Sequence, residues 1–65
     1  MTREQALNAL DPDVREVVDE ALSTGEARLV QEDGEWLYDD PLFGPPVPLS
    51  TLTYDLELGL TVRPT

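Results

Sequence analysis

The spacing of apolar residues changes once along this chain, and the change constrains the fold more than any other feature. Before Gly25 the apolar residues recur at intervals of three and four, as on one face of an α-helix; the stripe is Val14, Val17, Val18, Ala21 and Leu22. Beyond Gly25, apolar and polar residues alternate in short runs, which is typical of strands with one buried face. The sequence therefore predicts an α+β fold in which helices precede strands.

Two N-terminal helices are predicted, over about residues 3–10 and 12–24. Thr2 and Gln5 match a capping box, in which each side chain accepts a hydrogen bond from the other residue's backbone N–H. Asp11 and Pro12 fit the N-cap and first position of the second helix, because the missing N–H of proline costs nothing there. Gly25 fits the left-handed residue that ends a helix.

A β-hairpin is predicted over about residues 26–39. Asp33-Gly34 is favoured at the centre of two-residue type I′ turns, which need positive φ at both positions. This turn sets an antiparallel register whose pairs are Gln31 with Trp36, Val30 with Leu37, Leu29 with Tyr38, and Arg28 with Asp39. Leu29, Trp36 and Tyr38 then share one face, and we expect that face to pack on the helices.

The connection over residues 40–50 contains four of the six prolines. Proline lacks an N–H and fixes φ, so this segment is predicted to be extended and to form neither a helix nor a central strand. Leu42, Phe43 and Val47 make it more apolar than a free linker. We therefore expect a Pro-rich strap that lies across the domain.

Residues 51–62 alternate strictly and predict one C-terminal strand. Its apolar side would carry Leu52, Tyr54, Leu56, Leu58, Leu60 and Val62. The alternative is a helix capped by Ser50 and ended by Gly59. The predicted architecture is a single small α+β domain, residues 1–65, in which two N-terminal helices pack on one antiparallel sheet. That sheet would consist of the hairpin and the C-terminal strand, with the Pro-rich strap between them.

The charge of the chain restricts what it can bind. Fourteen carboxylates and four arginines give a net charge of -10 and a pI near 4.1. Nucleic-acid phosphates and anionic membranes repel such a chain, so direct binding to either is not expected. No apolar run has the length of a membrane span, no signal-peptide pattern is present, and no cysteine framework indicates secretion. A cytoplasmic location is expected.

The side chains also restrict the chemistry. His, Cys and Lys are absent, which removes the commonest general base, the thiolate and amine nucleophiles, and the usual zinc ligands. The carboxylate clusters do not match a calcium loop, because Asp11-x-Asp13 is followed by Arg15 and Glu16 stands where the loop needs glycine. No catalytic residue, metal site or cofactor is predicted, and the chain is not expected to be an enzyme.

The order of helix, Thr24-Gly25-Glu26 and hairpin resembles the N-terminal module of the prevent-host-death antitoxins over about 20 residues. That module begins with a strand and holds operator DNA with basic residues. This chain begins with helices and has four arginines as its only basic residues. We do not assign it to that family.

Two functional hypotheses follow. The first is a small acidic, non-catalytic protein-binding or regulatory module that docks on a basic protein surface. Its predicted partner-binding residues are four carboxylates of the second helix and two apolar residues of the strap: Asp13, Glu16, Asp19, Glu20, Leu42 and Phe43. In an extreme form the carboxylates would mimic nucleic-acid phosphates. The alternative is a structural homodimer whose C-terminal strands pair across a two-fold axis and complete the core. The acidity is also explained by solubility alone.

Overall fold

The computed structural model describes residues 2–63. Helix α1 (Arg3–Asn8) begins with the predicted capping box: Gln5 N–H donates to Thr2 Oγ1 at 3.1 Å, and Thr2 N–H donates to Gln5 Oε1 at 2.9 Å. The helix has six residues and ends two residues before the predicted boundary. Helix α2 (Pro12–Thr24) has thirteen residues and covers the predicted range.

Both ends of α2 have the predicted backbone conformation. Asp11 at the N-cap is extended (φ -60°, ψ 148°), but its side chain makes no capping hydrogen bond. Pro12 occupies the first turn, where no N–H is needed. Gly25 ends the helix with φ 82°, a left-handed conformation that costs glycine little.

Strands β1 (Arg28–Glu32) and β2 (Glu35–Asp39) form the predicted hairpin, and every predicted pair is present. Asp33 has φ 51° and Gly34 φ 81°, as a type I′ turn requires. Strand β3 (Val47–Pro48) pairs antiparallel with β2 and forms the outer edge of this three-stranded sheet. Edge position accommodates proline, which has no N–H to donate. The Pro-rich strap is therefore partly a strand, and it leads into a 3₁₀ turn, Leu49–Thr51.

The prediction of one long C-terminal strand is wrong. Strands β4 (Leu52–Asp55) and β5 (Gly59–Val62) form a second hairpin, and they make a separate two-stranded sheet that does not join the first. The carboxylate Oδ1 of Asp55 accepts from Glu57 N–H at 2.8 Å and Leu58 N–H at 3.0 Å. Gly59 follows in a left-handed conformation, with φ 80°, and the chain reverses direction into β5. These bonds turn the backbone at 56–58, where the sequence predicted continuous extension.

The predicted apolar side survives in the paired parts of this hairpin. Leu52 lies opposite Val62, and Tyr54 lies opposite Leu60. Leu52 is buried and Leu60 packs against the core, whereas Tyr54 and Val62 are about two-fifths exposed, at 39% and 37%. Leu56 and Leu58, in the turn, are 93% and 78% exposed. Two leucines of the alternating run are thus at the hairpin tip and not in the core.

The core lies between the helices and the two sheets. It consists of nine buried residues: Ala6, Leu7, Val14, Val18, Ala21, Ala27, Tyr38, Leu49 and Leu52. Burying an aliphatic side chain such as Val18 contributes about 1.5–3 kcal/mol. Leu29 and Trp36 share the face of Tyr38 in the first hairpin and pack on this core, as the register predicted. The fold is α+β, with two small sheets where one was expected.

Candidate protein-binding surface

The predicted acidic residues of α2 form one exposed face, here called the acidic face: Asp13, Glu16, Asp19 and Glu20. A helix turns 100° per residue, which places these positions away from the buried Val14, Val18 and Ala21. Carboxylates at i,i+3 and i,i+4 repel each other by a few tenths of a kcal/mol per pair. The acidic face therefore concentrates negative charge in water at some cost to the helix.

One position of the acidic face is partly neutralised. Arg15 Nε donates to Asp19 Oδ2 at 3.4 Å, and its guanidinium also contacts the side-chain carbonyl of Asn8. The pair is exposed, with side chains 38% and 50% accessible, so it contributes little stability. Within residues 2–63, Asp13, Glu16 and Glu20 form no ion pair. These three carry the uncompensated charge of the face.

The two predicted apolar anchors of the strap have different surroundings. Leu42 is 92% exposed. Phe43 is half-buried and meets Tyr38 edge to face, with ring centroids 5.7 Å apart and planes at 85°. Asp40 fixes this loop: its Oδ1 accepts from Leu42 N–H at 3.0 Å, and its Oδ2 accepts from the Tyr38 hydroxyl at 3.1 Å. Leu42 is available to a partner as the chain stands, whereas Phe43 already contributes to the core.

A cleft of about 550 Å³ opens between the α1–α2 junction, the β1–β2 turn and the 3₁₀ turn; we call it the junction cleft. Its apolar wall is formed by Ala6, Ala9, Leu10, Trp36, Leu49 and Leu52. The volume lies within the range of small-ligand sites, about 300–1,000 Å³. Because four separate elements (α1, β2, the 3₁₀ turn and β4) and adjacent loops contribute to it, no local sequence pattern predicts this cleft.

Four charged residues also line the junction cleft: Asp11, Asp33, Glu35 and Arg63. The sequence assigned Asp11 to capping and Asp33 to the turn, and both backbones have those conformations. Their carboxylates, and that of Glu35, make no hydrogen bond or ion pair with any described residue. Arg63 is held through its backbone, whose N–H donates to Thr51 O at 2.6 Å. The cleft therefore has three carboxylates against one guanidinium.

The charge is unevenly divided along the chain. Residues 1–40 contain twelve carboxylates and three arginines, a net charge of -9, and residues 41–65 contain two and one, a net charge of -1. Among residues 2–63, the large exposed apolar side chains belong to the nearly neutral part: Leu42, Tyr54, Leu56, Leu58 and Val62. Four of them lie on the second hairpin, and we call these four the apolar hairpin surface. Asp55 and Gly59 are the turn residues from which this second hairpin could have been predicted in the sequence.

Two side chains have shifted pKa values. Burial, followed by the hydrogen bond to Asp40 and the charges of Asp40 and Glu26, raises the pKa of Tyr38 to about 12. This makes Tyr38 a weaker proton donor than an ordinary phenol. The backbone N–H groups of Leu58 and Glu57 lower the pKa of Asp55 by stabilising its charged form. The pKa shift of Tyr38 therefore arises from its place in the core, and that of Asp55 arises from the hydrogen bonds of the β4–β5 turn.

Among residues 2–63, no group of three or more carboxylates is arranged to hold a metal ion. In the same part of the chain, no helix is long and apolar enough to cross a membrane.

Comparison with known proteins gives no match to a protein-family model, a curated protein or a solved structure.

Proposed function

We propose that this chain is a non-catalytic protein-binding or regulatory module that docks on a basic protein surface in the cytoplasm. The observation that supports it is the acidic face of α2, where Asp13, Glu16 and Glu20 are exposed and have no ion-pair partner among residues 2–63. A positive partner would be attracted over a Debye length of about 8 Å at physiological salt. Such attraction mainly raises the association rate and gives specificity.

Lasting affinity requires a desolvated contact as well as charge. Leu42 is the strap residue that offers one, because its side chain is almost fully exposed and its backbone is fixed by Asp40. The next residue, Phe43, is held against Tyr38 by its edge-to-face ring contact. In this proposal, the acidic face sets the encounter rate and Leu42 slows dissociation.

To obtain a partner, an extract of the native host is depleted of nucleic acid and passed over the immobilised chain at low salt. The basic proteins that the chain retains are used in the test. Surface plasmon resonance then compares Glu16→Lys/Glu20→Lys with Glu32→Lys/Glu57→Lys, a matched charge change at exposed positions outside the acidic face. We expect the first pair to slow association at least tenfold and the control to do so far less. Equal effects of both pairs, or binding unaffected by salt, would contradict the proposal. Competition by duplex DNA for the same partner tests the mimicry form.

A second candidate function is the structural homodimer, and the apolar hairpin surface favours it. Its residues Leu56 and Leu58 are 93% and 78% exposed, and large exposed apolar side chains that lie together are typical of protein-binding sites. The chain's accessible surface is 4606 Å², compared with about 4,100 Å² expected for a compact monomer of this mass. Two-stranded sheets are marginal alone, and no further strand among residues 2–63 pairs with this one. The low charge of residues 41–65 reduces repulsion between two such hairpins.

Sedimentation equilibrium across a concentration series tests the dimer. Leu56→Ser/Leu58→Ser should abolish self-association, whereas Leu42→Ser, an equally exposed leucine outside the hairpin, should leave it intact. A wild-type chain that stays monomeric at millimolar concentration would exclude the homodimer. It would leave the docking proposal unaffected, since the two use different surfaces.

A further inference from the structure

We propose that the junction cleft binds an arginine or lysine side chain of the partner. This inference rests on the proposed function in one respect, namely that the partner surface is basic. It adds a defined site, at a different place from the acidic face, and a chemical class of ligand: a cationic head on an apolar stem.

The apolar wall of the cleft fits the stem of such a side chain. Arginine and lysine bury their methylene groups along apolar surface while the charged head stays near water or carboxylates. Leu10 and Trp36 are half-buried and provide the accessible aliphatic and aromatic surface, whereas Leu49 and Leu52 also line the cleft but are only 4% and 3% exposed. Cations are attracted to tryptophan rings. A volume of about 550 Å³ has room for more than one side chain, so neighbouring basic residues of a partner can enter together.

The charged groups of the cleft determine the sign of the ligand. Asp11 precedes α2, Asp33 lies in the β1–β2 turn and Glu35 begins β2, yet all three line the same cavity. No described residue forms an ion pair with them, and Arg63, which also lines the cavity, offsets one of the three negative charges. An incoming cation is therefore attracted, and an anion is repelled. A planar guanidinium has the further advantage that it pairs with two carboxylate oxygens at once.

The three carboxylates are positioned by backbone features that tolerate the matching amides. Asn is as good as Asp at a helix N-cap, and it also adopts the left-handed conformation found at Asp33. Glu35 begins β2 and is exposed. Asp11→Asn, Asp33→Asn and Glu35→Gln can thus remove the charge of the cleft without changing its backbone.

The experiment titrates the chain with a short peptide, acetyl-Gly-Arg-Gly-Arg-Gly-amide, and follows the emission of Trp36, the sole tryptophan. Backbone amide shifts of Gly34 and Ser50 locate the site independently. The control peptide has citrulline in place of arginine, which keeps the shape and removes the charge. We expect saturable binding of the arginine peptide, and binding at least about tenfold weaker for the citrulline peptide.

Variants then assign the effect to the cleft. Asp33→Asn/Glu35→Gln should weaken peptide binding about tenfold or more, whereas Glu32→Gln/Glu57→Gln, with the same change in net charge, should change it less than twofold. Arg63→Gln should tighten binding, because it removes the competing guanidinium. A gain of affinity is not produced by a misfolded variant, so this result keeps the test informative.

Equal losses for both double variants, equal binding of the citrulline peptide, or amide shifts confined to α2 would overturn the inference. The proposed function is tested separately by reversal of Glu16 and Glu20 with the whole partner. If that reversal slows association while Asp33→Asn/Glu35→Gln leaves partner affinity unchanged, the cleft inference fails and the docking proposal stands. If the peptide binds in the cleft but no partner depends on the acidic face, the docking proposal fails and the cleft inference stands.

Discussion

The hairpin of β1 and β2 closes on two residues and buries one face, whereas the hairpin of β4 and β5 closes on three and exposes its tip. The first carries charge at its turn and gains a third strand on one edge. The second carries leucines at its turn, and no other strand in the described part of the chain pairs with it. Tyr38 of the first is 1% exposed, and Leu56 of the second is 93% exposed. The first hairpin therefore completes the core, while the second contributes Leu52 and Leu60 and leaves the rest of its apolar surface to solvent.

The largest expected effect comes from straining the first turn. Gly34→Val should lower the free energy of unfolding by about 1–3 kcal/mol, because valine resists positive φ. A Cβ at Gly34 or at Gly59 would meet no atom within 4 Å, so the cost at both sites is backbone strain alone. Gly59→Val should cost less, since the second tip can fray without disturbing the core. Urea denaturation measures both.

A matched control for the turn is Gly34→Asn, which keeps positive φ accessible and should be nearly neutral. If Gly34→Val unfolds at the same urea concentration as the wild type, the type I′ turn does not stabilise the hairpin. A larger loss for Gly59→Val than for Gly34→Val would reverse the comparison between the two hairpins.

The next effect concerns the buried hydroxyl of the first hairpin. Tyr38→Phe should cost about 1 kcal/mol at pH 7, because the hydrogen bond to Asp40 is lost. The pKa of Tyr38 is raised from 10.0 to about 12 in the folded state, so folding favours the neutral phenol. The stability that the raised pKa of Tyr38 contributes is complete below pH 10 and is lost as the pH rises towards 12. Thermal melts between pH 9 and 12 should show this loss in the wild type.

Tyr38→Phe should abolish that alkaline loss of stability, and Tyr54→Phe, in the second hairpin, should leave it in place. The Tyr38 titration itself is visible as phenolate absorption near 295 nm. An unchanged alkaline profile in Tyr38→Phe would show that some other group controls it.

The smallest effect is expected at the second turn. Two backbone N–H groups lower the pKa of Asp55 below its ordinary 3.8. A lowered folded pKa means that this carboxylate stabilises the fold above pH 3.8, and that the contribution is lost as the pH falls through the lowered value. NMR titration of the Glu57 and Leu58 amides should give a midpoint below 3.8. Asp55→Asn should remove the titration and keep the turn; an ordinary midpoint would contradict the two hydrogen bonds.

The contrast between the hairpins also explains what the sequence predicts well. Asp33-Gly34 interrupts the apolar alternation, so the turn and the entire register follow from it. At the second turn, Leu56 and Leu58 continue the apolar alternation of the two strands. Because the alternation is unbroken there, Asp55 and Gly59 are not recognised as turn residues from the sequence. Period alone cannot distinguish an extended strand from two strands whose turn happens to keep the same spacing.

For the candidate site, the acidic face was predictable because it depends on helical period alone. The partial burial of Phe43 depends on contact with Tyr38, and the junction cleft depends on four elements and their loops meeting in space. Neither the burial of Phe43 nor the cleft can therefore be predicted from a short stretch of sequence. Asp11 and Asp33 were predicted in their backbone roles, but the structure shows that those roles leave their carboxylates free of hydrogen bonds within residues 2–63.

The division of charge along the chain has a consequence for how two molecules meet. With a net charge of -9 in residues 1–40 and -1 in residues 41–65, a positive partner is attracted almost entirely to the first part of the chain. The second hairpin adds little to that attraction, so contacts made through its leucines should depend far less on salt than contacts made through the acidic face.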